Sequence, residues 1–180
     1  MNGAVNEALK DYVIKNYGLN TWDKVKADCN YEEVLFYSTL NYSDRSTGEI
    51  IQATHRITGV DLDEILVGFG EFWILHIGMK KYSTLLRSAG SKFEEFLLNL
   101  PHFHSRIMLL YPKIIPPEFD VVKTAELQLL LSYYSSKNGL TMFIYGLING
   151  IAKMFNRKIN ITIITRKKEG AECDQFLINY

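Results

Sequence analysis

The segment EFDVVKTAELQLLLSYYSS, residues 118–136, decides the fold class because the spacing of apolar residues changes there. Within it, apolar and polar residues alternate with a period of two, which is typical of a β-strand with one buried face. Upstream of it, most apolar residues recur at the three- to four-residue spacing of amphipathic helices. The double proline at 116–117 separates the two patterns, since proline cannot continue a helix. The sequence therefore predicts an α+β fold whose helical part comes first.

The part before the double proline divides into several predicted helices. Apolar positions predict a first helix over residues 3–16, and Thr21 is the predicted cap of a second helix. A third helix is expected at 48–58, and a long, mostly buried helix at 61–80 with acidic residues in its first turn. Shorter helical segments are expected at 82–88, 92–99 and 102–111.

The last third of the chain is predicted to form strands and one helix. That helix is expected at about 140–155, and it is followed by KINITIITRKKEGAECDQFLINY, residues 158–180, which is typical of a β-hairpin with KKEG at its turn. The chain contains no repeat, low-complexity stretch or linker, so a single domain over residues 1–180 is expected. The predicted fold is a helical N-terminal two-thirds packed on a C-terminal antiparallel sheet with one helix.

Composition and motifs exclude several classes of function. The 180 residues carry 20 basic and 20 acidic side chains, and no Lys/Arg stripe indicates a nucleic-acid surface. No apolar run is long enough for a membrane span, and the N-terminal segment lacks the pattern of a signal peptide. Cys29 and Cys173 match no disulfide or zinc pattern, and the common catalytic motifs are missing. We therefore expect a soluble, cytoplasmic protein that is not an enzyme and binds neither nucleic acid nor membrane.

Two histidines stand out in LPHFHSRIMLLYP, residues 100–112. His102 and His104 are two residues apart, so on a helix they face different directions and cannot chelate one zinc ion. On that helix His104 shares the inward face with Met108. A single buried histidine either bonds a nearby carbonyl or serves as an axial ligand, as in haem proteins. His76, in the long buried helix, is the competing candidate for axial ligation.

The alternating segment turns polar at its end. With a period of two, Tyr133, Ser135 and Lys137 continue the apolar face that begins at Leu127. Two hydroxyls and an ammonium beside an apolar wall suit a carboxylate on an apolar body, and haem with its propionates is such a ligand. A strand end that emerges into solvent has the same pattern. The residues alone leave both interpretations open.

The sequence resembles the H-NOX (haem nitric oxide/oxygen-binding) family in five ordered segments, MNGAVNEAL, HSRIMLLYP, PPEF, YYSSKNGL and ECDQFLI. This family includes bacterial stand-alone gas sensors and the haem domain of soluble guanylate cyclase, and the resemblance covers nearly the whole chain. It implies that haem b lies buried between the helical part and the sheet, with His104 as the proximal iron ligand. The family's Tyr-x-Ser-x-Arg motif, which binds the propionates, falls on Tyr133, Ser135 and Lys137.

The lysine in this motif is a departure from the family pattern. An ammonium cannot make the bidentate contact that a guanidinium makes with a carboxylate. The resemblance therefore implies weaker binding of the propionates. A rival register through Tyr134, Ser136 and Asn138 contains no cation. The register that ends at Lys137 is therefore preferred.

The resemblance also assigns the side chains around the haem, which are Val5, Leu9, Trp73, Met108, Pro117, Phe143 and Leu147. Oxygen-binding members carry a distal tyrosine, and Phe143 stands at its position here. Phenylalanine has no hydrogen-bond donor, so bound oxygen would lose about 1–3 kcal/mol, whereas nitric oxide and carbon monoxide need the donor far less. The expectation is a ferrous nitric oxide sensor that excludes oxygen. An oxygen-binding member, or a haem-free domain of the same fold, is the alternative.

The resemblance further implies how such a sensor signals. Nitric oxide is expected to weaken the His104–iron bond, let the haem flatten against Pro117 and shift the helical half against the strand half. As for bacterial stand-alone members, the expected partner is a histidine kinase or a cyclic-di-GMP enzyme. No effector domain follows within the 180 residues, so the signal is expected to leave through a surface.

Overall fold

In the computed structural model, which describes residues 3–29, 44–103, 105 and 117–180, most of the helices precede a four-stranded antiparallel sheet, and one helix lies between its second and third strands. The helices are α1 (Gly3–Tyr17), α2 (Leu19–Asp28), α3 (Asp44–Thr58), α4 (Leu62–Phe72), α5 (Met79–Lys81), α6 (Ser83–Arg87), α7 (Phe93–Leu98) and α8 (Thr141–Met154). The strands are β1 (Glu118–Ala125), β2 (Gln128–Tyr134), β3 (Asn160–Thr165) and β4 (Asp174–Asn179). The predicted α+β fold is confirmed, and most of the predicted helix at 102–111 lies outside the described residues.

The second helix begins earlier than predicted. Gly18, whose φ of 90° lies in the left-handed region that favours glycine, precedes α2. Thr21 is not a cap, because it lies inside the helix and its hydroxyl donates to the Tyr17 carbonyl at 2.7 Å. A threonine hydroxyl can bond the carbonyl one turn back as readily as it caps, and this made the sequence signal ambiguous.

The long helix predicted at 61–80 is confirmed as α4, a π-helical segment Trp73–Gly78 and α5 in direct succession. Its start is set by Asp61, whose carboxylate accepts a hydrogen bond from the Asp63 amide at 2.8 Å. A π-helical turn holds more residues than an α-helical one, so it changes the direction of the side chains that follow it.

Helices α4 and α8 cross with their backbones in direct contact. A methyl group on Gly70 would overlap the Phe143 carbonyl, and one on Gly146 would overlap the Val67 carbonyl. Only glycine permits so close an approach without displacing backbone. This crossing therefore joins the helical part directly to the helix that packs on the sheet.

The alternating segment 118–136 forms two strands rather than one continuous face. β1 and β2 pair antiparallel, with Phe119 opposite Tyr133, and the chain reverses between them. Leu127 lies in that turn and is 54% exposed, so the prediction that it begins the buried face is wrong. The buried face of β2 begins instead at Leu129. Alternation continues across a tight turn, which is why the sequence alone did not locate the reversal.

The closing hairpin is confirmed. β3 and β4 pair antiparallel, and β4 also pairs with β2, so the order across the sheet is β1-β2-β4-β3. The connection between β3 and β4 contains a short 3₁₀ helix, Lys167–Glu169, and Gly170 with φ of 97°. The pairing of β2 with β4 sets Asp174 opposite Tyr133. The first residues of β4 therefore lie beside the polar end of β2.

Buried apolar side chains among the described residues form two clusters. The helical cluster, formed by α1–α4 and the π-helical segment, includes Leu9 and Phe69, and the sheet cluster, to which α7, α8 and the strands contribute, includes Phe176. Trp73 and Phe143 pack against both clusters. We call the region around these two side chains the junction. No helix in the described ranges combines the length and apolarity that crossing a membrane requires.

Candidate functional site

The predicted distal residues flank the junction. Leu9 of α1 belongs to the helical cluster and Val5 packs against it, whereas Leu147 of α8 packs against the sheet cluster. Trp73 and Phe143 lie between them because each packs against both clusters. The five residues come from three separate parts of the chain, and the α4–α8 crossing holds two of those parts together.

Phe143, which is predicted to stand at the position of the family's distal tyrosine, packs against an aromatic ring. The Phe143 ring centroid lies 5.3 Å from that of Phe69, which in turn lies 6.3 Å from the Trp73 ring in an edge-to-face arrangement. The nearby hydroxyl of Tyr145 belongs to a side chain that packs against the sheet cluster. The Phe143 ring itself offers no donor.

A buried polar side chain on α1 was missed by the sequence reasoning. Asn6 is fully buried and accepts a hydrogen bond from the Thr47 hydroxyl of α3 at 2.5 Å. Its Nδ2 donor has no hydrogen-bond partner among the described residues. A buried donor without an acceptor costs about 1–3 kcal/mol, so its presence calls for an explanation. The available signal was an asparagine directly after Val5 on a helix whose buried face is otherwise apolar.

Six polar residues are connected by hydrogen bonds where β2 ends and β4 begins. We call them the polar corner: Tyr133, Ser135, Lys137, Thr141, Lys167 and Asp174. Tyr133 is 3% exposed, whereas the next residue, Tyr134, is 36% exposed. This difference in burial supports the register through Lys137 over the rival register. Pro117 directly precedes β1, whose first residue pairs with Tyr134, so it lies at the same end of the sheet.

The Tyr133 hydroxyl is a protonated donor at neutral pH. Burial raises its pKa above the ordinary value, the charge of Asp174 acts in the same direction, and a hydrogen bond with Ser135 opposes both. Its ring packs on Phe119, with centroids 5.2 Å apart. The side chain is therefore fixed at its apolar end and polar at its tip.

Ser135 and Lys137 follow the strand rather than continue it. β2 ends at Tyr134, and the Ser135 hydroxyl accepts a hydrogen bond from the Lys137 amide at 3.1 Å in a tight turn. Both side chains are half-buried. Ser135 is held near Tyr133 by their hydrogen bond, and not by the strand geometry that the sequence reasoning assumed.

Asp174 is a second residue that sequence reasoning missed. It is 3% exposed, and its Oδ1 accepts hydrogen bonds from the Thr141 hydroxyl at 2.9 Å and the Lys167 amide at 2.8 Å. The carboxylate therefore ties the first residue of α8 to the connection between β3 and β4. The available signal was an acidic residue at an inward position of an alternating strand.

The proximal side of the predicted site is not described, because His104 and Met108 lie outside the described residues. The competing histidine, His76, does not occupy the buried position predicted for it. Its Nε2 lies 2.7 Å from the Lys15 ammonium near the surface, and partial burial together with Lys15 lowers its pKa. In the ranges that the structure describes, no three His, Cys, Asp or Glu side chains are grouped to hold a metal ion.

Comparison with known families identifies the group to which this architecture belongs. The sequence profile of the haem-NO-binding family matches residues 2–163. The chain belongs to the haem-NO-binding (H-NOX) family. The H-NOX resemblance is thereby confirmed, and the cofactor of this domain family is haem b. H-NOX domains are haem-binding gas-sensor domains.

The H-NOX fold is also shown by structural similarity. A crystal structure of an H-NOX protein from S. oneidensis in the Fe(II)NO ligation state superposes with a TM-score of 0.88 at 20% identity, covering 99% of this chain and 98% of that one. Soluble guanylate cyclase gcy-31 of Caenorhabditis elegans is 26% identical over 91% of this chain and 24% of its own length. The soluble guanylate cyclase subunit beta-2 of Rattus norvegicus is 33% identical over 60% of this chain and 16% of its own. The chain thus spans about a quarter or less of these relatives.

The residues present fit haem. The polar corner presents a buried tyrosine hydroxyl, a serine hydroxyl and lysines, which is the donor set that two propionates need. The junction consists of apolar and aromatic side chains, whose chemistry suits a flat macrocycle. Both lie against α8, which begins at Thr141 in the polar corner and carries Phe143 to the junction.

Proposed function

We propose that this chain is an H-NOX nitric oxide sensor that excludes oxygen. The observation that carries the proposal is Phe143, which packs at the junction against Phe69 and offers no hydrogen-bond donor. Bound haem would supply a ferrous iron that binds a diatomic gas. Dioxygen gains about 1–3 kcal/mol from a distal donor, and nitric oxide and carbon monoxide depend on it far less.

The chain's own residues have three tasks in this proposal. Tyr133, Ser135 and Lys137 bind the propionates, and His104 ligates the iron. The side chains that exclude water and contact the macrocycle are Val5, Leu9, Trp73, Met108, Pro117, Phe143 and Leu147. A change in the ligation of His104 would move the helical part relative to the sheet, and the α4–α8 crossing is the contact through which that movement would pass.

The signal passes by contact to a partner protein. A histidine kinase or a cyclic-di-GMP enzyme is the proposed partner class. Because relatives such as gcy-31 are named soluble guanylate cyclases and extend far beyond the matched part, a nucleotide cyclase domain is a further candidate. In each case the partner responds to the conformation of a two-state domain and does not bind the gas itself.

An oxygen-binding sensor is the second candidate, and Asn6 favours it. The Nδ2 of this buried residue, which has no hydrogen-bond partner among the described residues, lies one position from Val5 on the helix that contributes to the distal side. An amide can donate a hydrogen bond to a polar gas ligand as a tyrosine hydroxyl does. The two candidates therefore differ in whether Asn6 or Phe143 determines the polarity of the pocket.

Absorption spectra of the reduced protein in air and under nitric oxide separate these candidates. The nitric oxide sensor is expected to show a Soret band that is indifferent to air and shifts with nitric oxide. Phe143→Tyr is expected to acquire a stable response to air, because it adds a donor at the distal position. Tyr145→Phe is the matched control and is expected to behave like the wild type.

A wild-type protein that responds stably to air would overturn the oxygen-excluding proposal. In that case Asn6→Leu, which keeps the side-chain size and removes the donor, should abolish the response if Asn6 is responsible. His104→Ala, beside the exposed control His102→Ala, tests ligation at the proximal side. We expect His104→Ala alone to lose the Soret band, and wild-type spectra in both variants would exclude His104 as the ligand.

A further inference from the structure

A second lysine reaches the polar corner from a different part of the chain. Lys167 begins the 3₁₀ helix between β3 and β4, and its Nζ donates a hydrogen bond to the Ser135 carbonyl. Its backbone amide is held by Asp174 at 2.8 Å, which fixes the position of the residue. The Lys167 side chain therefore lies at the residue that follows β2, next to the Tyr133–Ser135 hydrogen bond.

The charge of Lys167 is poorly compensated within the described part of the chain. The side chain is half-buried, and none of the ion pairs formed between described residues involves it. A partly buried ammonium that bonds only a neutral carbonyl keeps N–H groups available for an anion. By contrast, Lys123 and Lys153 each pair with a glutamate. The location of Lys167 therefore favours an anionic ligand at the polar corner.

Haem carries two propionates, and the family motif supplies only one cation to them. In this chain that cation is Lys137, a point charge that cannot contact both oxygens of a carboxylate as arginine does. A second ammonium at the same corner matches the second negative charge. Two lysines from separate segments can thus supply the positive charges that replace one arginine and its bidentate contact.

We propose that Lys167 is a second propionate-binding residue, which compensates for the loss of arginine at position 137. This inference rests on the proposed haem function and adds a residue that the Tyr-x-Ser-x-Lys motif does not contain. Asp174 is the positioning residue, because it holds the Lys167 backbone and α8 together.

The rate of haem transfer from the reconstituted protein to apomyoglobin tests this role. Lys167→Met keeps the length of the side chain and removes its charge, and it is expected to release haem about tenfold faster than the wild type. Lys168→Met is the matched control, since Lys168 is the exposed neighbour in the same 3₁₀ helix. It is expected to change the rate by less than about twofold, as is usual for exposed positions.

Haem dimethyl ester, whose propionates are uncharged, identifies the group that Lys167 contacts. With the ester, Lys167→Met and the wild type are expected to release the cofactor at the same rate. If Lys167→Met accelerates the release of haem and of the ester alike, Lys167 has a structural role and the inference is overturned. Equal rates of haem release from the two methionine variants would overturn it as well. A wild-type chain that takes up no haem would instead overturn the proposed function itself.

Discussion

The α4–α8 crossing and the polar corner both hold α8 in place, the first against the helical part and the second against the sheet, but they do so by opposite means. At the crossing, Gly70 and Gly146 allow backbones to touch, and the contact is apolar. At the polar corner, a buried carboxylate and two hydroxyls connect strand ends to the start of α8. One end of α8 is therefore held by hydrogen bonds, and its middle by close packing.

Because of this difference, we expect the crossing to determine the stability of the fold and the polar corner to determine the binding of the cofactor. Close packing of backbones has little tolerance for added volume, whatever ligand is present. The hydrogen-bonded corner contributes directional groups, and their strength depends on the charge that they meet. Changes at the crossing should therefore affect unfolding, whereas changes at the corner should affect haem affinity.

The largest effect is expected for Gly146→Ala. The new methyl group overlaps the Val67 carbonyl, so we expect the free energy of unfolding to fall by about 1–3 kcal/mol or more, measured by urea denaturation. Gly48→Ala is the control, because Gly48 lies in helix α3 with open space around it. There we expect a gain of about 0.5–1 kcal/mol from the higher helix propensity of alanine. Similar losses in both variants would contradict the close contact at the crossing.

A smaller effect is expected for Tyr133→Phe, and on a different quantity. Removing the hydroxyl deletes one donor of the polar corner, so haem release should accelerate about fivefold, equivalent to about 1 kcal/mol, with little change in unfolding. Tyr134→Phe removes a hydroxyl from the adjacent, outward-facing position and serves as the control. If both variants release haem at the wild-type rate, Tyr133 does not contact the propionates.

The smallest effect is expected at an ion pair that also connects a helix to the sheet, Glu94 of α7 with Lys123 of β1 at 2.6 Å. The hydrogen bond from Lys123, followed by that with Tyr180, lowers the pKa of Glu94. A carboxyl whose pKa is lowered on folding stabilises the protein fully at pH values above its unfolded-state pKa. This contribution is lost as the pH falls through the folded-state pKa.

Glu94→Gln should therefore lower stability slightly at neutral pH and flatten the decline in stability under acid conditions. Thermal unfolding as a function of pH measures this, and high salt should reproduce part of the loss in the wild type, since both side chains are partly exposed. An unchanged acid profile would show that the pair contributes nothing measurable to folding.

The sequence by itself determined the order of helices and strands, the long helix at 61–80 and the closing hairpin. The family resemblance assigned Phe143 and Tyr133 to the haem site, and these assignments stay predictions. The predicted helices and strands were confirmed because periodicity, proline and turn residues act over a few neighbours in the chain. The same local view failed at Leu127, because alternation does not show where a chain reverses.

Only the tertiary structure decided which side chains meet across the chain. The backbone contact of Gly70 with α8, the burial of Asn6 and the surface position of His76 each depend on elements far apart in sequence. The same holds for Lys167, which reaches Ser135 only because β4 pairs with β2 and brings the last connection beside it. Such contacts follow from how faces pack and strands pair, and no local pattern encodes them.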